Sequence, residues 1–283
     1  MNDSIKNFEQ SCPACRNGID LVTIEWGEYS VIHCKVCGLD YCSRMVEKET
    51  GGDSSPVHLE GIEMMADSFH KTIDLAKRYT QKRLLFYESL LKRKCTNVLE
   101  VGCGPGVFFE HWQHSNVSWT GIDINPYWQE FGKANQIPIT NQPIESLDQQ
   151  FDVVMAHQVI EHVEDPISFM EAITSRLKPK GIIHLELPNQ KSLTSRFRQI
   201  SPILSYDYGF IQPPMHLRAY CKRTINRLLE DCNLDNIMVF TCANTDKIWG
   251  QVRDYKLTQK ALYSFTGKVG LGSLLIGIAQ KDR

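Results

Sequence analysis

Asn97-Val98-Leu99-Glu100-Val101-Gly102-Cys103-Gly104-Pro105-Gly106 is the stretch on which the fold of this 283-residue chain turns. Its first five residues are a short β-rich run, a G-x-G-x-G turn follows at once, and Val107 to Trp112 reads as the opening of a helix. A strand, a glycine turn and a helix in that order make a nucleotide-binding corner. The glycines let the backbone turn sharply and lie against a ligand that side chains would hold off. Further on, Trp119-Thr120-Gly121-Ile122-Asp123-Ile124 reads as a second strand ending in an acid, which would accept hydrogen bonds from both hydroxyls of a ribose.

A dinucleotide enzyme and a methyl-transfer enzyme both use such a corner, and two features separate them. The spacing is G-x-G-x-G, not the G-x-G-x-x-G that cradles a pyrophosphate. Glu100 stands before the first glycine, where a carboxylate would repel a pyrophosphate and attract a ligand ammonium. S-adenosylmethionine carries an ammonium and no phosphate.

Glu100 to Gly106 resembles motif I of the class I methyltransferases. Phe151 to Pro166 (FDVVMAHQVIEHVEDP) is similar to the fourth strand and following helix of the ubiquinone-biosynthesis-type subgroup. Leu177-Lys178-Pro179-Lys180-Gly181 is similar to its LKPGG turn, with lysine for one glycine, a change expected to be harmless, and Ile182 to Asn189 to its fifth strand. The resemblance covers roughly residues 97 to 283 and implies a Rossmann-like α/β fold with a doubly wound seven-stranded sheet. Its last strand, expected at Ser273 to Ala279, runs antiparallel. The resemblance also implies that Gly102, Cys103, Gly104 and Gly106 border S-adenosylmethionine and that Asp123 and Ile124 meet its ribose side. Ile144 and Glu145 would lie near the adenine, and His157 and Gln158 near the methionine portion. Periodicity agrees independently: Asp165-Pro166 reads as an N-cap with proline in the first turn, and Ile167, Met170, Ile173 and Leu177 recur on one helical face. In a parallel sheet the ligand lies beyond the carboxyl ends of the strands, where Gly102, Asp123, His157 and Asn189 are expected to meet.

Methyl transfer is an in-line displacement, so alignment and exclusion of water dominate, and a base serves only some acceptors. For a hydroxyl acceptor a neutral imidazole suffices. His157, His162 and His216 are the candidates, each weighed against a cofactor contact, a cap or a satisfied polar group.

Upstream, Cys12-Pro13-Ala14-Cys15 and Cys34-Lys35-Val36-Cys37 form two C-x-x-C pairs with the spacing of a structural zinc site. Leu21 to Ile24 and Tyr29 to Ile32 read as strands around Gly27, so the unit is read as a zinc ribbon whose closed four-thiolate shell makes the metal structural. Unrelated reduced cysteines, or a redox dithiol between a strand and a helix, fit the doubled spacing less well. His33 and Cys42 are spare ligands read as bystanders. The expected units are residues 1–47 (the ribbon), 48–95 (linker and capping helices, with helical spacing from Met64 to Lys94) and 96–283 (the catalytic domain). Two inserts rich in aromatic residues, Lys191 to Phe210 and Asn244 to Gly272, are read either as acceptor lids or as ordinary packing.

The formal net charge of −2 gives no electrostatic reason for tight binding to a phosphate backbone. No apolar run at the start resembles a secretory signal and no stretch is long enough to span a bilayer, so a cytoplasmic protein without a membrane partner is expected. Three functions follow. The first is O- or C-methylation of a small metabolite or biosynthetic intermediate. The second is methylation of ribosomal or transfer RNA docked by the ribbon, against which His157-Gln158-Val159-Ile160 stands where an N-P-P-Y-like tetrapeptide would suit a base nitrogen. The third is a non-catalytic scaffold. The sequence fixes neither the acceptor nor the oligomeric state.

Overall fold

The computed structural model describes residues 11–42, 80–113, 115–213, 215–242 and 268–282. The expected linker at 48–56, the helical stretch before residue 80 and most of the second insert lie outside them. A helix through residues 80–91 (α1) leads into β4 (Asn97–Val101), the fully buried strand of the opening motif, after β1 (Leu21–Trp26), β2 (Tyr29–Cys34) and β3 (Asp40–Cys42) near the N-terminus. The alternation continues through α2 (Phe109–Gln113), β5 (Ser118–Ile122), α3 (Pro126–Asn135), β6 (Ile139–Thr140), β7 (Phe151–His157), α4 (Pro166–Ser175) and β8 (Leu177–Pro188). It ends with α5 (Leu193–Arg198), β9 (Arg218–Ala219), α6 (Lys222–Asp231), β10 (Leu234–Cys242) and β11 (Leu274–Lys281).

Seven strands form one sheet in the order β10-β11-β8-β7-β4-β5-β6, parallel from β8 to β6, with β11 antiparallel to both neighbours. This is the Rossmann-like α/β sheet with its last strand reversed. Successive residues of a strand face opposite sides, and the two faces carry two cores. Val98, Val153, Met155 and Ile182 pack with Tyr87, Trp112 and Trp128, whereas Leu99, Val101, Val154 and Leu185 pack with Ile173 and Leu228.

Local signals placed the elements well and their ends less well. Asp165 caps α4 as expected, its Oδ1 accepting the amides of Ile167 and Ser168. The helix stops at Ser175, however, because Leu177 pairs with Phe151 and already belongs to β8. The ladder then skips to Val153 and Ile182, and Lys180 takes φ +61 in the bulge. The lysine thus occupies a left-handed position that glycine adopts freely, at a cost of about 1 kcal/mol. After β7 the chain makes a 3-10 turn, Ile160–His162, before α4 starts.

The two C-x-x-C knuckles flank the β1–β2 hairpin, but the sheet they belong to has four strands, β1-β2-β3-β9. Its fourth strand, β9, comes from the far end of the chain: Asp40 pairs with Ala219 and Tyr41 with Arg218. Cys12, Ile32, Cys34, Leu39 and Tyr41 join the core that also holds Tyr220 and Leu228. Thr224 Oγ1 donates to the Cys37 carbonyl at 2.9 Å.

Candidate active site

Turn geometry comes first. Gly102 leaves β4 with φ +65, and a Cβ there would lie 2.4 Å from Val159 Cγ2, so both the dihedral and the space demand glycine. Asp123, at the carboxyl end of β5, clamps that turn: its Oδ2 accepts the Gly104 amide and its Oδ1 the Asn125 amide, both at 2.9 Å. It is half-buried, and Ile124 beside it is 95% exposed. An acid and an open apolar side chain at one strand end suit a ribose with a base above it.

Glu100 and Cys103 are buried. Glu100 Oε2 accepts the Trp119 indole N–H at 2.8 Å, and burial pushes its carboxyl up to about 7. A ligand ammonium nearby would favour its charged form. Gly121 makes room for that indole, since a Cβ there would lie 2.0 Å from the Trp119 ring. Ile144 is half-buried in the 3-10 turn Ile144–Ser146, whereas Glu145 is exposed. Gln158 is exposed at φ +56, its amide donating to the Glu186 carbonyl.

The three histidines separate into two clusters. His157 ends β7 beside His184 and Glu186 of β8, with Nε2 3.8 Å from Glu186 Oε1, and burial lowers its pKa well below the ordinary value, so it is neutral. Glu186 also meets His184 Nε2 at 3.1 Å and Arg83 of α1 at 2.6 Å, and Tyr87 shares a hydrogen bond with His184 Nδ1. Chiefly because of the Arg83 guanidinium, the Glu186 carboxyl stays well below the usual range despite burial. Arg83 lies 4.8 Å over the Phe108 ring, so α1 places a buried cation between the strand ends and the segment that follows the glycine turn.

His162 and His216 come together instead, rings 4.6 Å apart. His162 Nδ1 lies 3.1 Å from the Met215 carbonyl. A carbonyl only accepts, so neutral His162 carries its proton on Nδ1 and its lone pair on Nε2, the tautomer a base needs. Glu161 lies beside them, 2% exposed, with neither side-chain oxygen hydrogen-bonded to another described residue, and burial raises its carboxyl to about 8. A ligand nitrogen or oxygen of Glu161, His162 and His216 all fall within 4.8 Å of one another. Asn189 does not face this space: it is buried, and its amide holds the carbonyls of Gly270 and Gly272.

Arg83, His184, Glu186 and Glu161 escaped the sequence reading. A period-2 signal existed for two of them, since His184 and Glu186 alternate with leucines inside an apolar strand. Arg83 had none.

The described residues bring the four cysteines of the ribbon together without disulfides: Cys12 Sγ lies 3.6 Å from Cys37 Sγ, and Cys15 Sγ 3.6 Å from Cys34 Sγ. A tetrahedron of Zn–S bonds near 2.3 Å has edges of about 3.8 Å, so the donor set fits. The Lys191–Phe210 insert is fastened to the ribbon, with Trp26 Nε1 donating to the carbonyls of Ser205 and Tyr206 and Tyr29 OH receiving the Tyr208 amide. Exposed Leu193, Phe197 and Leu204 of the insert line a cleft of about 640 Å³.

A family model described as "Methyltransferase domain" matches residues 69–239, more than half of the chain. The chain belongs to that family. It is an S-adenosylmethionine-dependent methyltransferase. The ubiquinone biosynthesis O-methyltransferase of Nitrosospira multiformis is 26% identical over 194 residues, 60% of this methyltransferase and 81% of the relative. That of Schizosaccharomyces pombe is 32% identical over 108 residues, 33% of this chain but only 39% of the relative. A crystal structure of a SAM-dependent methyltransferase from Archaeoglobus fulgidus superposes with a TM-score of 0.53 at 21% identity, covering 77% of this chain and 98% of that one. The plantazolicin methyltransferase BpumL in complex with SAH gives 0.55 at 18% identity, covering 81% and 92%. At these identities the two structures speak for the fold of the methyltransferase. Among its described residues no helix is long and apolar enough to cross a membrane.

Proposed function

We propose that this methyltransferase acts on an oxygen or carbon of a small metabolite or biosynthetic intermediate, with His162 as the base for a hydroxyl. The observation that carries this reading is the anchored tautomer: the Met215 carbonyl fixes the Nδ1 proton and leaves Nε2 basic beside His216. The names of the curated relatives, ubiquinone biosynthesis O-methyltransferases, support a hydroxyl on a small molecule.

S-adenosylmethionine supplies an electrophilic methyl group on a sulfonium centre. Gly102, Cys103, Gly104 and Gly106 border it, Asp123 binds the ribose hydroxyls, and Ile124 with Ile144 flanks the base, Glu145 lying at the rim. Gln158 and neutral His157 line the methionine end, where Arg83, held by Glu186, faces the carboxylate and Glu100 supplies negative charge toward the ammonium. Neutral His157 adds no positive charge next to a sulfonium, which favours approach of the donor. Cys12, Cys15, Cys34 and Cys37 hold a structural zinc ion.

Calorimetric titration with S-adenosylmethionine, followed by a radiolabelled methyl-transfer screen over small-molecule, protein and RNA fractions, tests the proposal. Donor binding with label in the small-molecule fraction is expected. Label in RNA alone would move the acceptor to nucleic acid, and absence of donor binding together with partner capture by the full chain would leave a scaffold.

A further inference from the structure

The knuckles of the ribbon and the paired histidines of the acceptor side are joined by an unbroken set of bonds. The second knuckle, closed by the Gly38 amide on the Cys34 carbonyl, runs straight into β3. β3 pairs with β9, and beyond the pairing the Cys42 amide donates to the Leu217 carbonyl at 2.9 Å. Gly38 lies so close to Cys221 that a Cβ would come within 2.7 Å of its Sγ. Asp40, buried in β3, accepts from Gln190 Nε2 at 2.9 Å, and Gln190 in turn receives Ser195 Oγ and the Phe210 amide on its Oε1.

From β9 the bonds continue onto the turn that carries His162. Tyr220 OH donates to the Ile160 carbonyl at 3.1 Å, and Arg218 donates to the Glu164 carbonyl. These two carbonyls bracket Glu161 and His162. His216, the other ring of the pair, precedes β9 by a single residue. Both histidines are therefore located by the strand that completes the sheet of the ribbon, whereas the glycine turn, Asp123 and the Arg83–Glu186 pair are located by the large sheet and α1.

We propose that the metal-loaded ribbon is the positioning element of the acceptor wall: by fixing β9 it sets Tyr220 and Arg218, which hold the Ile160–Glu164 turn and so bring His162 against His216. This deepens the proposed function and rests on it for the identity of the acceptor side. The glycine turn and Asp123 take no part in these hydrogen bonds and meet the linked segment only where Gly102 packs against Val159. Metal at the four thiolates then controls order in the half of the site that faces the acceptor, and Tyr220 and Arg218 act through His162 as positioning residues.

Hydrogen–deuterium exchange on the full chain, zinc-loaded and after chelation, tests this without any acceptor. Removing zinc is expected to speed exchange about tenfold or more in residues 160–166 and 215–222, while residues 97–106 change by less than about twofold. Binding of S-adenosylhomocysteine, read by calorimetry, should stay within about threefold. Faster exchange confined to residues 12–42 would overturn the proposal, as would an equal rise at 97–106. Tyr220→Phe keeps the ring and removes only the bond to Ile160. With zinc still bound at one equivalent, it should speed exchange in 160–166 severalfold and move the ¹⁵N resonances of the His162 ring. Unchanged resonances and exchange there would also overturn the proposal. Failure of the zinc-loaded protein to bind S-adenosylhomocysteine would count against the methyl-transfer reading and leave the exchange result to decide this one.

Discussion

The two sides of the proposed site, a donor side at Glu186 and an acceptor side at Glu161, are built in opposite ways. On the donor side Glu186 gathers Arg83, His184 and His157, so that a buried negative charge is matched by a buried positive one. On the acceptor side Glu161 is as deeply buried as Glu186 but has no charge partner and no side-chain hydrogen bond among the described residues, and burial raises its carboxyl to about 8. The donor side therefore holds a fixed field suited to one constant ligand. The proposed acceptor side holds a carboxyl that burial raises to about 8 and the His216 imidazole that burial lowers, so burial favours the neutral form of each, which suits moving a proton.

The largest effect should come from separating the histidines. His162→Gln is expected to lower kcat by about 10²- to 10⁴-fold for a hydroxyl acceptor, the usual contribution of a positioned base, with donor affinity unchanged. His157→Gln should do the reverse, weakening donor binding in calorimetry while kcat falls little. If the His157 variant loses turnover and the His162 variant keeps it, the two sides have been assigned the wrong way round.

Glu186→Gln attacks the pairing on the donor side. It leaves the Arg83 guanidinium buried without its carboxylate, at a cost of about 3–5 kcal/mol in urea unfolding. A loss below about 1 kcal/mol would mean that the field there is not maintained by this carboxylate. Gly102→Ala is a narrower probe. The side chain would have to occupy φ +65 within 2.4 Å of Val159 Cγ2, so donor affinity should drop about a hundredfold, close to 3 kcal/mol. Affinity within a few-fold of the parent would show that Val159 yields and that the turn is not shaped by that contact.

The same contrast explains what was legible in the sequence. The donor corner is local: the Gly102 to Gly106 turn follows β4 directly, and Asp123 follows the next strand, so residue type and spacing announce both. Asp165 and Pro166 announced α4 in the same way. The acceptor wall is assembled from residues 38–42, 160–164, 190 and 216–221, far apart in the chain. Its joining strand, β9, has two residues, too few for any period to show. Cysteine spacing picked out the four residues that the fold gathers, because ligands of one metal need a fixed geometry, but nothing in that spacing says which surface their hairpin packs against. Arg83 was missed for a related reason: on an amphipathic helix a buried arginine looks like any solvated one until its partner on β8 is known.

Two buried carboxylates offer the smallest and most discriminating test, because their pH dependences run in opposite directions. Asp152 receives the Thr96 amide and hydroxyl and the Asn97 amide and pairs with Arg93 and Lys178, contacts that hold its carboxyl well below the usual range. Its contribution is present above about pH 4, the ordinary carboxylate value, and is lost as pH falls below it. Glu161 lies on the other side of that value. Between about pH 4.5 and 8 the native protein keeps a proton that the unfolded chain has released, so its contribution is full at acid pH and declines as pH rises through that window. The slope is at most about 1.4 kcal/mol per pH unit for a single group. Glu161→Gln keeps the shape and cannot ionise, so the stability of the variant relative to the parent should climb from pH 5 to pH 8, measured as the difference in urea midpoints. A flat difference would mean that Glu161 is already ionised in the native protein, held by a charge partner, and the acceptor side would then carry a fixed field like the donor side.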